Sequence, residues 1–342
     1  MKELIQKLCA SFGPAGREGQ IRAVIAAEIE KLKEEYFVDT LGNLVVRKGP
    51  AGGKKILVAA HMDEIGLMVT YIEENGYLRF TNLGGIMQQT LPGTRVFFEN
   101  GTVGVIGQEK TKETREPGLS KYYLDIGAEN RETALAKVKI GDAAVYLAPL
   151  HQEGKRLTAK SLDNRVGCAV LLETLSRLSA ATLPGEVFFV FTVQEEVGLR
   201  GAQVAAYRLN PDVALVLETT SCADLPGVPP AKQVTRLGAG PALTFRDRTS
   251  IADPQLVRLL IQEAEAAGLP WQWKHGTAGG NDAGAIQTQR GGVRVASLSL
   301  PCRYLHQPGN VLSVRDLEHG LELARRGLHA WARELSNGGD RR

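Results

Sequence analysis

The chain has 342 residues, 43% hydrophobic and 23% charged, and its 41 basic and 38 acidic side chains leave a net charge of +3. That length can bury a sizeable core and favours two domains over one. Near-balanced charge without a basic, aromatic-interleaved run argues against a nucleic-acid surface, and no apolar stretch approaches the roughly 20 residues of a membrane span.

The amino terminus, Met1-Lys2-Glu3-Leu4-Ile5-Gln6-Lys7-Leu8, is broken by charge and lacks the apolar core of a signal peptide. Cys9, Cys168, Cys222 and Cys302 are dispersed without a close CxxC pair, which predicts reduced, partly buried thiols in a soluble cytoplasmic protein. From Glu18 onward, Ile21, Val24, Ile25, Ile29 and Leu32 recur at helical spacing and predict an amphipathic helix. Apolar runs at 44–46 and 55–60 read as strands, and the second delivers His61-Met62-Asp63.

Between 65 and 157 helical periodicity fades. Short runs at 66–72, 78–80, 95–98 and 101–106 alternate with glycine-rich turns, which predicts a smaller β-rich unit inserted into a discontinuous α/β domain, 1–64 and 158–342. After the insert, helices and strands alternate as in a sheet covered on both faces. Asp163-Asn164 opens an apolar-periodic segment and sets Asp163 near a helix start, where its simplest role is a cap.

The run 186–191 predicts a buried strand that leads into Glu195-Glu196. Neighbouring strand side chains point to opposite faces, so both acids serve one site only if the chain bends, which Val197-Gly198 permits. Taken alone, adjacent acids are more often a solvated loop edge. The strand at 213–217 delivers Glu218, and that at 293–298 runs towards Arg303-Tyr304-Leu305-His306. Loops past the carboxyl ends of such strands are where open α/β sheets keep their chemistry.

Other segments read as structural. Asp253-Pro254 predicts a cap and first-turn proline before a helix, and the last helix is expected near Ser313 with Asp316 in a capping box. Trp271 and Trp273 predict one packed face of a short strand, 234–240 a connecting loop, and Arg246-Asp247-Arg248 a solvated charge cluster. His319 and His329 fall on the terminal helix in surface or packing positions, His151 and His275 receive no role, and Arg341-Arg342 reads as a solvated tail.

Together, His61, Asp163, Glu195, Glu196, Glu218 and His306 suit a two-metal hydrolytic centre. Zinc-like ions take imidazole nitrogen and carboxylate oxygen, and a pair of ions can polarise a carbonyl and activate water near neutral pH.

The segments AAHMDEIGLMV, AKSLDNRVGCAVLLE, TVQEEVGLRGA, VLETTSCADLPGV and PCRYLHQPGNV, in this order and spacing, resemble the M42 family of metallo-aminopeptidases, and the likeness extends through LGAGPAL and GGNDAGAIQ. The resemblance implies a mixed-sheet α/β/α metallopeptidase domain with an inserted β-barrel-like dimerisation domain. It implies two divalent ions, Zn2+ or Co2+: Asp163 would bridge them, His61 and Glu218 would complete one site, and Glu196 and His306 the other. Glu195 would be the general base, and Asp63 would orient the His61 ring from behind the ligands. Many family members carry Asp where this chain has Glu218, and GGTDA where it has GGNDA, so Asn281 is given no catalytic task, and its neighbourhood is expected to line the substrate pocket.

The expected activity is removal of N-terminal residues from short peptides by a homo-oligomer, with dimers building a tetrahedral dodecamer. The nearest alternative is hydrolysis of N-acylated amino acids or blocked peptides at the same centre. Glycoside hydrolysis needs two carboxyls flanking the bond and leaves both histidines unexplained. A purely structural metal in an assembly protein would favour a closed Cys or His set over these carboxylates. The preferred N-terminal residue is not legible at this level.

Overall fold

The computed structural model describes residues 1–110, 118–180, 183 and 185–336. The Arg341-Arg342 tail lies outside the described residues. Two N-terminal helices, α1 (Lys2–Ala10) and α2 (Gly19–Lys31), precede strands β1 (Tyr36–Val38), β2 (Leu44–Lys48) and β3 (Lys55–His61). The next strands are β4 (Gly66–Ile72), β5 (Leu78–Leu83), β6 (Arg95–Phe98), β7 (Val103–Gln108) and β8 (Tyr122–Asp125), then α3 (Arg131–Leu135) and β9 (Ala143–Tyr146). The chain returns through β10 (His151–Glu153), β11 (Arg156–Ala159), α4 (Leu162–Arg177), β12 (Glu186–Thr192), α5 (Arg200–Leu209) and β13 (Val213–Ser221). It ends with β14 (Ala242–Leu243), α6 (Pro254–Ala266), β15 (Gln272–Trp273), α7 (Asp282–Gln287), β16 (Arg294–Arg303), β17 (Asn310–Ser313) and α8 (Val314–Ser336).

Among the described residues the strands form an 11-stranded mixed sheet, ordered β1-β2-β12-β3-β13-β16-β17-β11-β10 with β14 paired to β16 and β15 to β14, and a closed barrel, β4-β5-β8-β7-β6-β9. The centre of the sheet, β12-β3-β13-β16, is parallel and the flanks are antiparallel. Its strands are apolar throughout because both faces are covered. Along β3, Ile56, Val58 and Ala60 join the layer that holds α1, α2, α4, α6 and α8, while Leu57 and Ala59 join that of α5 and α7. The period-two alternation of a strand thus feeds two helical layers at once. Burying each large apolar side chain contributes about 1.5 to 3 kcal/mol.

The barrel has its own core, built from Leu67, Val69, Phe80, Val96, Ile106 and Leu124 among others. Its strands span residues 66–146, whereas 151–157, placed in the insert from sequence, pair with β17 through β11 and extend the large sheet. Glycine-rich turns and short strands look alike in either sheet, so the pattern did not mark this crossing. Where the chain leaves β3 and re-enters α4, Glu64 accepts from Lys160 Nζ at 2.7 and 2.8 Å and from Arg165 at 3.0 Å, all three side chains being buried. This network ties both crossings of the insert to one point.

Local signals carried over unevenly. Asp253 caps α6 as expected, accepting from Gln255 and Leu256 N–H at 3.0 Å. Leu32, expected on the apolar face of α2, is exposed because the helix ends at Lys31. Asp316 makes no capping box. It is buried and accepts the N–H groups of Gly238 and Gly240, pinning the 234–240 loop to α8. No helix among the described residues is long and apolar enough to cross a membrane.

Candidate active site

The four parallel strands end on one edge of the sheet. β3 stays paired with β12 through His61 and Thr192, but its pairing with β13 stops at Ala59 and Val216. Past that point the seam opens, and His61 Nε2 lies 3.4 Å from Glu218 Oε1. β13 continues to Ser221, so Glu218 sits within the strand rather than beyond its end as the sequence suggested. Asn164 Nδ2 donates to the Leu217 carbonyl at 2.8 Å and ties the start of α4 to β13. Asp163 is on that first turn but caps nothing; Ser161 occupies the cap position, and the Asp163-Asn164 peptide is cis.

Asp163 reaches both histidines. Its Oδ1 lies 3.2 Å from His61 Nε2 and its Oδ2 3.4 Å from His306 Nε2, while Glu196 Oε2 is also 3.4 Å from His306 Nε2. Two triads result, His61-Asp163-Glu218 and Asp163-Glu196-His306, each with donor atoms within 4.8 Å of one another. A third grouping, His61-Glu195-Glu196, meets the same limit, so all six sequence-selected residues converge.

Loops hold these side chains by specific contacts. The bend that lets Glu195 and Glu196 share a site begins at Gln194, whose φ is +55°, before Gly198 turns the chain again at +124°. A non-glycine residue in this left-handed region is held there by its surroundings, and the buried Glu18 carboxylate supplies the hold by accepting the Gln194 N–H at 3.1 Å. Buried Asp63 accepts the N–H of Glu195 at 3.0 Å and of Glu196 at 3.2 Å. The His61 Nδ1 lies 3.2 Å from the Asp63 carbonyl and 3.5 Å from its carboxylate. Asn310 donates to the carbonyls of Tyr304 and Gln307 and accepts the Leu162 N–H, joining the His306 loop to the Asp163 turn.

Packing so many acids together shifts their proton affinities. Burial pushes the Glu195 carboxyl well up and Glu196 up to about 8, against the favourable charge of the histidines. Burial also raises Glu218. It pulls the imidazoles down, but surrounding carboxylates win: His61 is held well above its ordinary value and His306 reaches about 9. For Asp163, burial is outweighed by hydrogen bonds from His306 and His61, which hold it below the usual carboxylate range. Divalent cations in this space would reverse the penalty on the acids.

Sequence reasoning passed over three features of the site. Asp282, fully buried at the start of α7, accepts from Thr192 Oγ1 at 2.5 Å, and burial pushes its carboxyl up to about 7. Its signal in the sequence was an acid two residues past the glycine pair Gly279-Gly280. Lys274, together with Thr219, Thr220 and Ser221, lines the cavity of about 270 Å3 that the six convergent residues share. Gly84 and Gly85, just past β5, bring the barrel against Glu196 and His306.

Other singled-out residues stay away from the centre. His319 and His329 lie on α8, and His151 and His275 are exposed. Trp271 and Trp273 pack edge to face, with ring centres 5.2 Å apart. The charge cluster is split: Arg246 and Arg248 are exposed, but Asp247 is buried and accepts from the N–H groups of Thr249 and Ser250. Asn281 is the exception: it lines the cavity with the six convergent residues, and it caps α7 by accepting the Ala283 N–H at 2.9 Å. All four cysteines are buried free thiols.

The model of the M42 glutamyl aminopeptidase family matches residues 42–323. The chain belongs to the M42 family of aminopeptidases. A relative from Acetivibrio thermocellus is 42% identical over 325 residues, covering 94% of this chain and 97% of its own. The lysyl aminopeptidase of Pyrococcus furiosus is 32% identical, covering 94% and 95%. The glutamyl aminopeptidase of Lactococcus lactis subsp. cremoris is 31% identical, covering 88% of each chain. Among solved structures, the TET aminopeptidase of a marine sediment Thaumarchaeota archaeon superposes with a TM-score of 0.93 at 34% identity, covering 98% of both chains. The TET1 peptidase of Pyrococcus horikoshii, which can assemble into a tetrahedron or a large octahedral shell, gives 0.86 at 36% identity, covering 95% and 98%. Relatives named for different N-terminal residues, lysyl and glutamyl, thus match this chain over most of its length.

Proposed function

We propose that the chain is a binuclear metal-dependent aminopeptidase that removes N-terminal residues from short peptides. The observation that carries this reading is the Asp163 carboxylate, whose two oxygens face two different imidazoles. The residues fit a pair of divalent ions on their own chemistry. Imidazole nitrogens and carboxylate oxygens converge, and Glu218 Oε2 is buried without a hydrogen-bond partner. Such a donor set suits Zn2+ or Co2+. Asp163 would be shared, with His61 and Glu218 on one side and Glu196 and His306 on the other.

When bound, the ions supply Lewis acidity towards the scissile carbonyl and lower the pKa of water. Glu195 accepts a proton during attack and returns it to the leaving amine, the transfer expected of a positioned carboxylate. Asp63 holds the Glu195 and Glu196 backbones and borders the His61 ring, so base and ligands keep their relative places.

Self-association through the barrel belongs to the same proposal. Tyr71, Val103, Val105 and Ile140 are exposed large apolar residues of this unit, and the Pyrococcus horikoshii relative forms closed shells. Dimers assembled into a tetrahedral dodecamer would enclose the cavities and admit short peptides.

The test is a panel of aminoacyl chromogenic substrates, free and N-acylated, with metal-stripped protein and after addition of single metals. Metal-restored cleavage of free aminoacyl substrates is expected. Activity confined to N-acylated substrates or to cellulose would overturn the reading.

A further inference from the structure

Lys274 follows β15, and its N–H donates to the Leu243 carbonyl at 3.0 Å. Behind it Trp273 packs edge to face on Trp271 and Phe245, which fixes the strand. Lys274 is 8% exposed and lines the cavity that holds His61, Asp163, Glu195, Glu196, Glu218 and His306. Among the described residues it makes no ion pair and no side-chain hydrogen bond. Apart from the two imidazoles it is the one basic side chain in that lining. A buried cation without a counter-charge is costly, and a ligand carboxylate is the natural remedy.

We propose that Lys274 determines specificity and selects substrates whose N-terminal residue carries a carboxylate side chain, glutamate or aspartate. The proposal rests on the aminopeptidase reading of the site. Family membership does not choose the substrate, since relatives are named both glutamyl and lysyl aminopeptidases. Lys274 does. A basic N-terminal residue would bring a second ammonium into a cavity of about 270 Å3, whereas an acidic side chain would pair with the first. A compact ammonium on a flexible stem suits a single carboxylate.

The experiment compares kcat/KM of the metal-loaded full chain on the p-nitroanilides of Glu, Gln, Leu and Lys. Gln keeps the shape of Glu without its charge, and anilides carry no C-terminal carboxylate. Glu is expected to exceed Gln by about 10²-fold, the scale of losing one partner of a buried charge pair. Lys274→Met should bring the Glu to Gln ratio towards one, chiefly through KM, while Lys274→Arg should retain a preference for Glu. Melting curves verify that both variants fold. Equal rates on Glu and Gln anilides, or a ratio that survives Lys274→Met, would overturn the assignment and leave the aminopeptidase reading intact. A Lys274→Met effect on free dipeptides but not on anilides would also overturn it, because the lysine would then bind the peptide C-terminus. Failure to cleave any free aminoacyl anilide with any metal would remove the reading on which the proposal stands.

Discussion

Asp63 Oδ1 accepts the backbone N–H of Glu195 at 3.0 Å. The same carboxylate takes the next N–H, that of Glu196, and borders the His61 ring, so one fully buried acid positions the proposed base and a proposed ligand on each side of the centre. Asp63→Ala leaves the Glu195 and Glu196 N–H groups without this acceptor and frees the ring. We expect metal affinity or activity to fall about 10- to 100-fold, the usual effect of losing a group that orients metal ligands. Asp63→Asn keeps one acceptor oxygen and should lose less. Titrating metal into both variants and measuring turnover at saturation checks this; wild-type behaviour of Asp63→Ala would refute it.

Glu195 and Glu196 are neighbours with different assignments, and isosteric substitution separates them. Glu195→Gln should keep both ions while turnover falls roughly 10² to 10⁴ fold, the scale of a positioned general base. Glu196→Gln should instead weaken the site it shares with His306 and Asp163. Elemental analysis beside peptide kinetics reads both. Near-normal turnover by metal-replete Glu195→Gln would exclude it as the base.

The six convergent residues were legible in sequence because each sits at or near the end of a strong signal, a buried apolar strand or a periodic helix. Strand order then did the rest, since β12, β3, β13 and β16 are neighbours and their ends meet. Lys274 was not legible. It follows a strand of two residues, and only the cavity shows that a lysine there lacks a partner. Asp316 and Asp247 misled for a related reason: an acid beside a helix start or between arginines looks solvated or capping until the loop it anchors is placed in space. The end of the insert escaped because β10 and β11 carry the same short β pattern as the barrel strands.

Removing metal should make stability pH-dependent in a defined direction. Burial raises Glu196 from 4.5 to about 8. His306, pulled down by burial but raised more by Asp163 and Glu196, moves from 6.5 to about 9. In both cases the folded, metal-free chain binds more protons than the unfolded chain between these limits, so its stability falls as pH rises from about 5 to 9. Asp163, held low, titrates below this window. Bound cations favour the deprotonated ligands and oppose the trend. Melting temperatures with chelator and with Zn2+ should therefore diverge as pH increases, and parallel curves would contradict the assignment.

Gly85 connects the barrel to the chemistry. A Cβ at this position would lie 2.9 Å from His306 Nδ1 and 3.3 Å from its Cε1, closer than a side chain and a ring can settle without movement. Gly84 is constrained by a φ of +81° and by two side chains, Ile65, whose Cγ2 would lie 2.8 Å from an added methyl, and Glu196, whose Cβ would lie 3.0 Å from it. Gly85 lacks the conformational constraint, so Gly85→Ala is the cleaner probe: the fold tolerates the backbone, and the cost falls on the imidazole. We expect a displaced His306, weaker binding at the Glu196 side of the centre, and a fall in kcat/KM of up to about 10²-fold, the loss that a displacement of about 1 Å can cause. Melting temperature of the metal-free variant should stay near that of the parent. If Gly85→Ala retains full activity and both ions by elemental analysis, the barrel does not set the position of His306, and its contribution to the site is confined to covering it.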